Sequence, residues 1–280
     1  MINDNKQYPL VVACLATWNG EEFVADTLAS LAAQTYPNLK VLISDDASTD
    51  NTVAICELST TKDFRFHLLR QTQRLGWIGN INFLLSSAKG DYFFFISHDD
   101  VLEPTYVMRL LEKLEARPNA ILAFSDIETI DTNSNREIQA YTALDGIERR
   151  IYRAHRMLLQ RGIWWIPYRG IFRSVAVDRI GGLRTNLAGE FAADWPWLVH
   201  LSLLGEFVRV PEVLYKKVQR KKSLSLNWNY TIGAWFAATL ACAGEIYRSR
   251  LSLFEKMLLQ ISLAGAFLRC IWRWLLPYIT

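Results

Sequence analysis

Two pairs of adjacent aspartates, Asp45-Asp46 and Asp99-Asp100, each follow an apolar run. The runs are Leu39-Lys-Val-Leu-Ile-Ser44 and Tyr92-Phe-Phe-Phe-Ile96. Unbroken apolar runs of this length predict strands buried on both faces. In open α/β sheets the strand C-termini form the ligand crevice. Paired carboxylates there suit a hard divalent cation, Mg2+ or Mn2+, shared with a diphosphate. A strand-tip carboxylate also suits a base N–H or ribose hydroxyls. His98 adjoins the second pair, but a loop histidine is more often merely exposed, so it stays outside the metal set. A third acid, Asp194, lies in Gly189-Glu-Phe-Ala-Ala-Asp194-Trp-Pro-Trp197. Among such apolar neighbours a carboxylate is suited to general-base work, its pKa tuned by its surroundings.

Plainer readings stand beside these. Ser48-Thr-Asp-Asn-Thr52 reads as a strand-to-helix turn, with Ser48 or Thr49 as N-cap and Asp50 favoured by the helix dipole. That accounts for the cap but not for Asp45-Asp46, which precede it. Asp99-Asp100 fits a polar turn, yet its deep placement demands a partner for each carboxylate. Asp194 fits an N-cap with Pro196 in the first turn, a role compatible with catalysis. The basic stretch Tyr215-Lys-Lys-Val-Gln-Arg-Lys-Lys-Ser223 fits a solvated charge run, a diphosphate-contacting loop or a patch for anionic lipid.

The elements that must position these acids follow from periodicity. Strand and helix patterns alternate over residues 9–130, which predicts a mostly parallel, doubly wound sheet. Strands are expected at Leu10–Ala16, Leu39–Ser44, Phe64–Leu69, Tyr92–Ile96 and Ala120–Phe124. Helices are expected at Glu21–Gln34, from Ser48 onward, at Trp77–Ala88 and from Pro104. Residues 131–150 turn polar and predict a loop or hairpin. Residues 151–230 mix both signals, and the last fifty read as helical.

The chain has 280 residues, of which 51% are hydrophobic. That allows one large α/β domain plus an appendage. A net charge of +3 is too balanced to argue for nucleic acid. Cys14, Cys56, Cys242 and Cys270 are scattered without metal spacing and fit a reducing compartment. The first residues carry no apolar signal region, which predicts a cytoplasmic protein.

Taken together, the motifs resemble the inverting glycosyltransferases of family 2, which have the GT-A fold. The resemblance rests on Ala16-Thr17-Trp18-Asn19, Gln34-Thr35, the whole of Asp45 to Thr52, Gly76, Asn82, Ala88-Lys89-Gly90, Asp99-Asp100, Gly181-Gly182 and Asp194. It covers about residues 8–226. It implies a GT-A domain over 1–226, with a nucleotide-binding half to residue 130 and an acceptor-binding half after it. A helical extension over 227–280 follows. The donor would be a nucleoside diphosphate sugar, UDP-linked in the first instance. The acceptor would be a hydroxyl of a glycan or glycolipid in cell-surface polysaccharide or glycolipid synthesis.

By the same resemblance, Asp46 would read the base with Asp45 in support. Ala16, Thr17, Asn19, Arg74, Gly76, Asn82 and Asp99 would flank the nucleotide. Asp100, with Asp99, would hold the metal, and Asp194 would deprotonate the acceptor. Four positions depart from the pattern. Ser97 and Ala193 stand where acids are usual. Ile81 stands where Arg is usual, leaving Arg74 as the candidate substitute. Lys217, Gln219 and Arg220 stand where a late His is usual, so the resemblance supplies no third protein ligand to the metal and leaves open whether one exists.

Two rivals remain at this level. A sugar nucleotidyltransferase would carry a Gly-rich basic loop after the first strand, and Ala16–Gly20 offers none. A non-catalytic nucleotide-sugar or glycan-binding protein is compatible with Ser97 and Ala193. The tail, with Met257–Leu268 followed by Arg269, Trp272, Arg273 and Trp274, is too short in its apolar run to span a bilayer. It suits peripheral attachment to the inner face of the membrane, packing on the catalytic domain, or a homodimer contact.

Overall fold

The computed structural model describes residues 8–159, 163–219, 228 and 230–275, with side chains through Leu268. The first half is a run of strand–helix units. These are β1 (Val11–Thr17), α1 (Val24–Ala32), β2 (Leu39–Asp45), α2 (Thr52–Lys62), β3 (Phe66–Arg70), α3 (Gly76–Ser87) and β4 (Tyr92–Ser97). The next segment holds β5 (Val101–Leu102), α4 (Tyr106–Glu115), β6 (Ala120–Ile130) and β7 (Arg136–Gln139). It continues through α5 (Arg150–Leu159), α6 (Trp165–Tyr168), β8 (Ile171–Arg173) and α7 (Ser174–Asp178). The chain then forms α8 (Asp194–Ser202), β9 (Glu206–Val218), α9 (Ile232–Arg248) and α10 (Leu253–Leu275).

The strands form one sheet in the order β3-β2-β1-β4-β8-β6-β9-β5, with β7 added to β6. Strands β3, β2, β1 and β4 pair in parallel, as do β6 and β9. Because β8 is antiparallel to both β4 and β6, those two point the same way. The sheet is therefore mostly parallel, with β5, β7 and β8 reversed. This is the expected α/β architecture. The central strands are sealed by aromatic packing, with Phe93 stacked on Phe172 at 5.2 Å and Phe95 on Tyr168 at 5.0 Å.

The sequence-level expectations hold for most elements and fail at identifiable points. β6 runs on to Ile130 and pairs with β7, so residues 131–135 are a hairpin turn. Ser48 does not cap α2. Its hydroxyl donates to Asp45 Oδ1, and its Oγ accepts the backbone N–H of Asn19. Asp194 is the first residue of α8 and not its cap, and its carboxylate is turned elsewhere. The short strands β5 and β8 had no sequence signal.

Helix α10 packs along α5 and α9. Arg150 pairs with Glu255 at 2.7 Å, His155 Nδ1 meets Ser262 Oγ at 2.9 Å, and Phe236 meets Phe267. Its outer face exposes Leu253, Phe254, Met257 and Ile261. Among the described residues no helix is long and apolar enough to cross a membrane. The side chains of Arg269, Trp272, Arg273 and Trp274, on which the interfacial expectation rests, lie outside the described residues, as do Arg220, Lys221 and Lys222.

Candidate active site

The parallel strands β1, β2 and β4 end side by side, with Thr17 opposite Asp45 and Ala16 opposite Ser97. A cleft of about 960 Å³ opens above these ends. Asp46, Asp99, Asp100 and Asp194 all line it, together with Ala16, Thr17, Asn19 and Arg74. Acids more than ninety residues apart in sequence thus converge on one cavity.

Each acid is held differently. Asp45 accepts the backbone N–H and the hydroxyl of Ser48, which fixes the turn after β2. Asp46 accepts the backbone N–H groups of Leu75 at 2.6 Å and Gly76 at 3.0 Å, tying the β2 tip to the start of α3. Gly76 needs its φ of +78° there, and a Cβ would lie 2.9 Å from Glu190 Oε1. The same Glu190 oxygen accepts the Ile78 N–H at 2.8 Å, so this acid latches the 189–193 loop onto α3. Asp45, Gly76 and Asn82 are not among the lining residues. Asn82 is a strut: its side chain donates to Leu183 O at 2.9 Å and accepts from Leu183 N at 2.8 Å. A Cβ on Gly182 would stand 2.1 Å from Asn82 Oδ1, so only glycine fits the close approach.

Asp100 is 1% exposed and surrounded by donors. Tyr215 OH and Arg169 Nε donate to Oδ2 at 2.7 and 3.2 Å, and Val218 N–H donates to Oδ1 at 3.2 Å. The antiparallel pairing of β5 with β9 makes this possible, because it sets Tyr215 and Lys216 opposite Leu102 and Val101. Alternation along β9 then turns Tyr215 and Lys217 to one side and Lys216 to the other. Lys216 pairs outward with Glu103, while Lys217 lines the cleft with its ammonium 5.1 Å from the Trp165 ring centre. Asp99 lies beside Asp100, and burial together with that neighbouring charge pushes its carboxyl up, against the pull of His98 and Arg169.

Whether this donor set fits a divalent cation can be judged from Asp100. A carboxylate has about four lone-pair directions, and protein donors take three of them. Lys217 on β9 and Arg169 at the end of α6 add two cations that would repel a metal ion. Among the described residues no group of three or more His, Cys, Asp or Glu side chains is placed to hold one. The residues do not fit the Mg2+ or Mn2+ expected on Asp99 and Asp100.

Asp194 is 5% exposed and accepts the Trp164 indole N–H at 3.0 Å. Burial raises its carboxyl above the ordinary range, and the Trp164 bond and the Arg169 charge offset this only in part. Around it the wall is aromatic. Trp164 meets Trp235 edge-on at 5.7 Å, and Phe191, Trp228 and Tyr230 continue the surface. At the opposite end Arg74 stacks its guanidinium 3.4 Å over Trp18. Three further lining groups, Thr17 Oγ1, Asn80 Oδ1 and Tyr168 OH, are buried with no hydrogen-bond partner among the described residues. Groups in that state are costly unless a ligand meets them. A smaller cavity of about 460 Å³ lies between residues 184–187, α8 and α9, but its acid, Glu245, already holds His200, Arg184 and Arg248.

Sequence reasoning reached Asp46, Asp99, Asp100 and Asp194. Sequence reasoning does not sort the residues around Asp194: Trp164, Tyr168 and Arg169 line the cleft, whereas Trp195 and Trp197 are core. It missed Glu190 and Tyr215, whose roles come from non-local contacts.

The sequence model of glycosyl transferase family 2 matches residues 12–175. An uncharacterized glycosyltransferase of Haemophilus influenzae is 29% identical over 210 residues, 74% of this chain and 65% of that protein. The glycosyltransferase GlyG of Streptococcus pneumoniae is 26% identical over 39% of this chain and 36% of its own length. The chain thus spans less than two thirds of these relatives. The crystal structure of S. aureus TarS 1-349 with UDP-GlcNAc superposes with a TM-score of 0.72, at 17% identity, over 92% of this chain and 72% of that one. The mannosyltransferase PcManGT of Pyrobaculum calidifontis, in complex with GDP-Man and Mn2+, gives 0.61 at 16% identity over 93% and 74%. These superpositions show a GT-A fold, with the cleft at the tips of its parallel strands. The chain belongs to glycosyl transferase family 2.

Proposed function

We propose that the protein moves a sugar from a nucleoside diphosphate sugar to a hydroxyl of a glycan or glycolipid acceptor, with inversion at the anomeric carbon. The observation that carries this reading is the single cleft shared by Asp46, the Asp99-Asp100 turn and Asp194. TarS is described with UDP-GlcNAc and PcManGT with GDP-Man, which supports a nucleotide-sugar donor here. A UDP-linked donor is the first to test, and cell-surface polysaccharide or glycolipid synthesis is the setting this chemistry suits.

In this reading the base end of the donor lies toward Asp46, Trp18 and Arg74, and the sugar lies toward Asp194. The acceptor oxygen attacks the anomeric carbon while its proton passes to an oxygen of Asp194. The bond from the anomeric carbon to the diphosphate oxygen breaks, and its electron pair leaves with the diphosphate. The sugar passes through an oxocarbenium-like state, and attack from the opposite face inverts it. Trp164 fixes the base's orientation, and the aromatic wall excludes water, so that transfer outruns hydrolysis.

The test uses Asp194→Asn. It should fold, bind nucleotide as the wild type does, and lose transfer by roughly a hundred- to ten-thousand-fold. Release of nucleoside diphosphate from a panel of sugar nucleotides, with the product anomer read by NMR, measures it. Normal turnover by the variant would remove Asp194 from the mechanism.

A further inference from the structure

We propose that Arg169 and Lys217 neutralise the leaving diphosphate in this protein, in the place where a divalent cation was expected. The inference rests on the transferase reading above and names the residues that do its electrostatic work. The Arg169 guanidinium bonds Asp100 and lies close enough to Asp99 and Asp194 to be felt by both. It lines the same cleft as the acid turn and the candidate base, within electrostatic reach of a leaving diphosphate there. Lys217 approaches from β9, in the same field. Among the described residues no carboxylate lies within ion-pair distance of its ammonium, and the half-buried side chain lies over the Trp165 ring. A half-buried cation with no carboxylate bonded to it is under-compensated, and a bound anion relieves that.

The division of labour is unequal. Arg169 is committed to Asp100 on one edge and keeps other N–H groups for a phosphate oxygen. Its planar fork positions as well as neutralises. Lys217 supplies a point charge that lies over Trp165 and is bonded to no carboxylate among the described residues. Asp100 then acts as the anchor that holds Arg169 and Tyr215 in place. In a water-poor cleft, fixed cations of this kind stabilise charge developing on a leaving group. A metal ion bound beside them would face their repulsion.

Calorimetry of the full chain with UDP, GDP, UMP, GMP and the nucleosides separates the possibilities, once in EDTA and once in Mn2+. The expected result is diphosphate binding in EDTA close to that in Mn2+. Lys217→Met should weaken diphosphate binding by roughly tenfold or more and leave nucleoside binding unchanged. Lys217→Arg should restore it. Lys217 is the informative site because its loss orphans no carboxylate, whereas Arg169→Met would strand Asp100. Binding that appears only with Mn2+, or a Lys217→Met protein that keeps its full preference for diphosphate over nucleoside, overturns the proposal and leaves the transferase reading standing. Absence of nucleotide binding in both conditions overturns the donor reading itself, and this proposal with it.

Discussion

The proton affinity of Asp194 follows from its burial under an indole. Burial raises the carboxyl, and the Trp164 N–H favours the ionised form. A general base works only when ionised. Turnover should therefore fall as pH drops through this raised value, with an acid limb above the ordinary carboxylate range. Trp164→Phe removes the donor while keeping an aromatic ring, so its limb should move to still higher pH in a pH–kcat profile. An unmoved limb would show that Trp164 does not tune the base. Asp194 itself was legible as an acid among apolar residues before a helix. Its partner was not, because Trp164 lies thirty positions upstream and nothing in an aromatic pair reveals which ring will donate.

Helix α3 and the loop after Gly181 meet through a contact between a side chain and the main chain. Asn82 accepts and donates to Leu183, and Gly182 leaves room for it. Asn82→Ala would strand a buried N–H and C=O, at a cost of about 1–3 kcal/mol. Denaturant unfolding should register that loss while calorimetry finds nucleotide affinity little changed. A large loss of affinity with stability intact would return Asn82 to the ligand-binding set. The strand–helix units of the first half were readable because each strand there is an apolar run bounded by turn residues. The contacts of β9 were not. Tyr215 and Lys217 acquire their roles from a two-residue partner, Val101–Leu102, too short to leave a pattern. Gln34 shows the same limit. Its place in the motif was clear, yet only the structure shows it bridging Ser30, Glu103 and Val107, which steadies the acid turn against α1.

Across the whole molecule, Glu245 of α9 joins the C-terminal helices to His200 of α8 and to Arg184 in the loop before it. Burial pushes its carboxyl up, but bonds from His200, Arg248 and Arg184 more than offset this and pull it down to about 2. A folded-state value below the unfolded one gives stability that is present above the unfolded value and lost as pH falls toward the folded one. Thermal melts should thus show the protein weakening between about pH 4.5 and 2, and Glu245→Gln should flatten that slope. The family match ends at residue 175, so both Asp194 and Lys217 stand beyond it. Trp228, Tyr230 and Trp235 stand farther still, and they form part of the wall around Asp194. A chain ending at residue 226 would keep every acid yet leave its reaction chamber open to bulk solvent. Grafting the last two helices from a relative is for that reason surgery on the chamber, and altered substrate choice should be its first symptom.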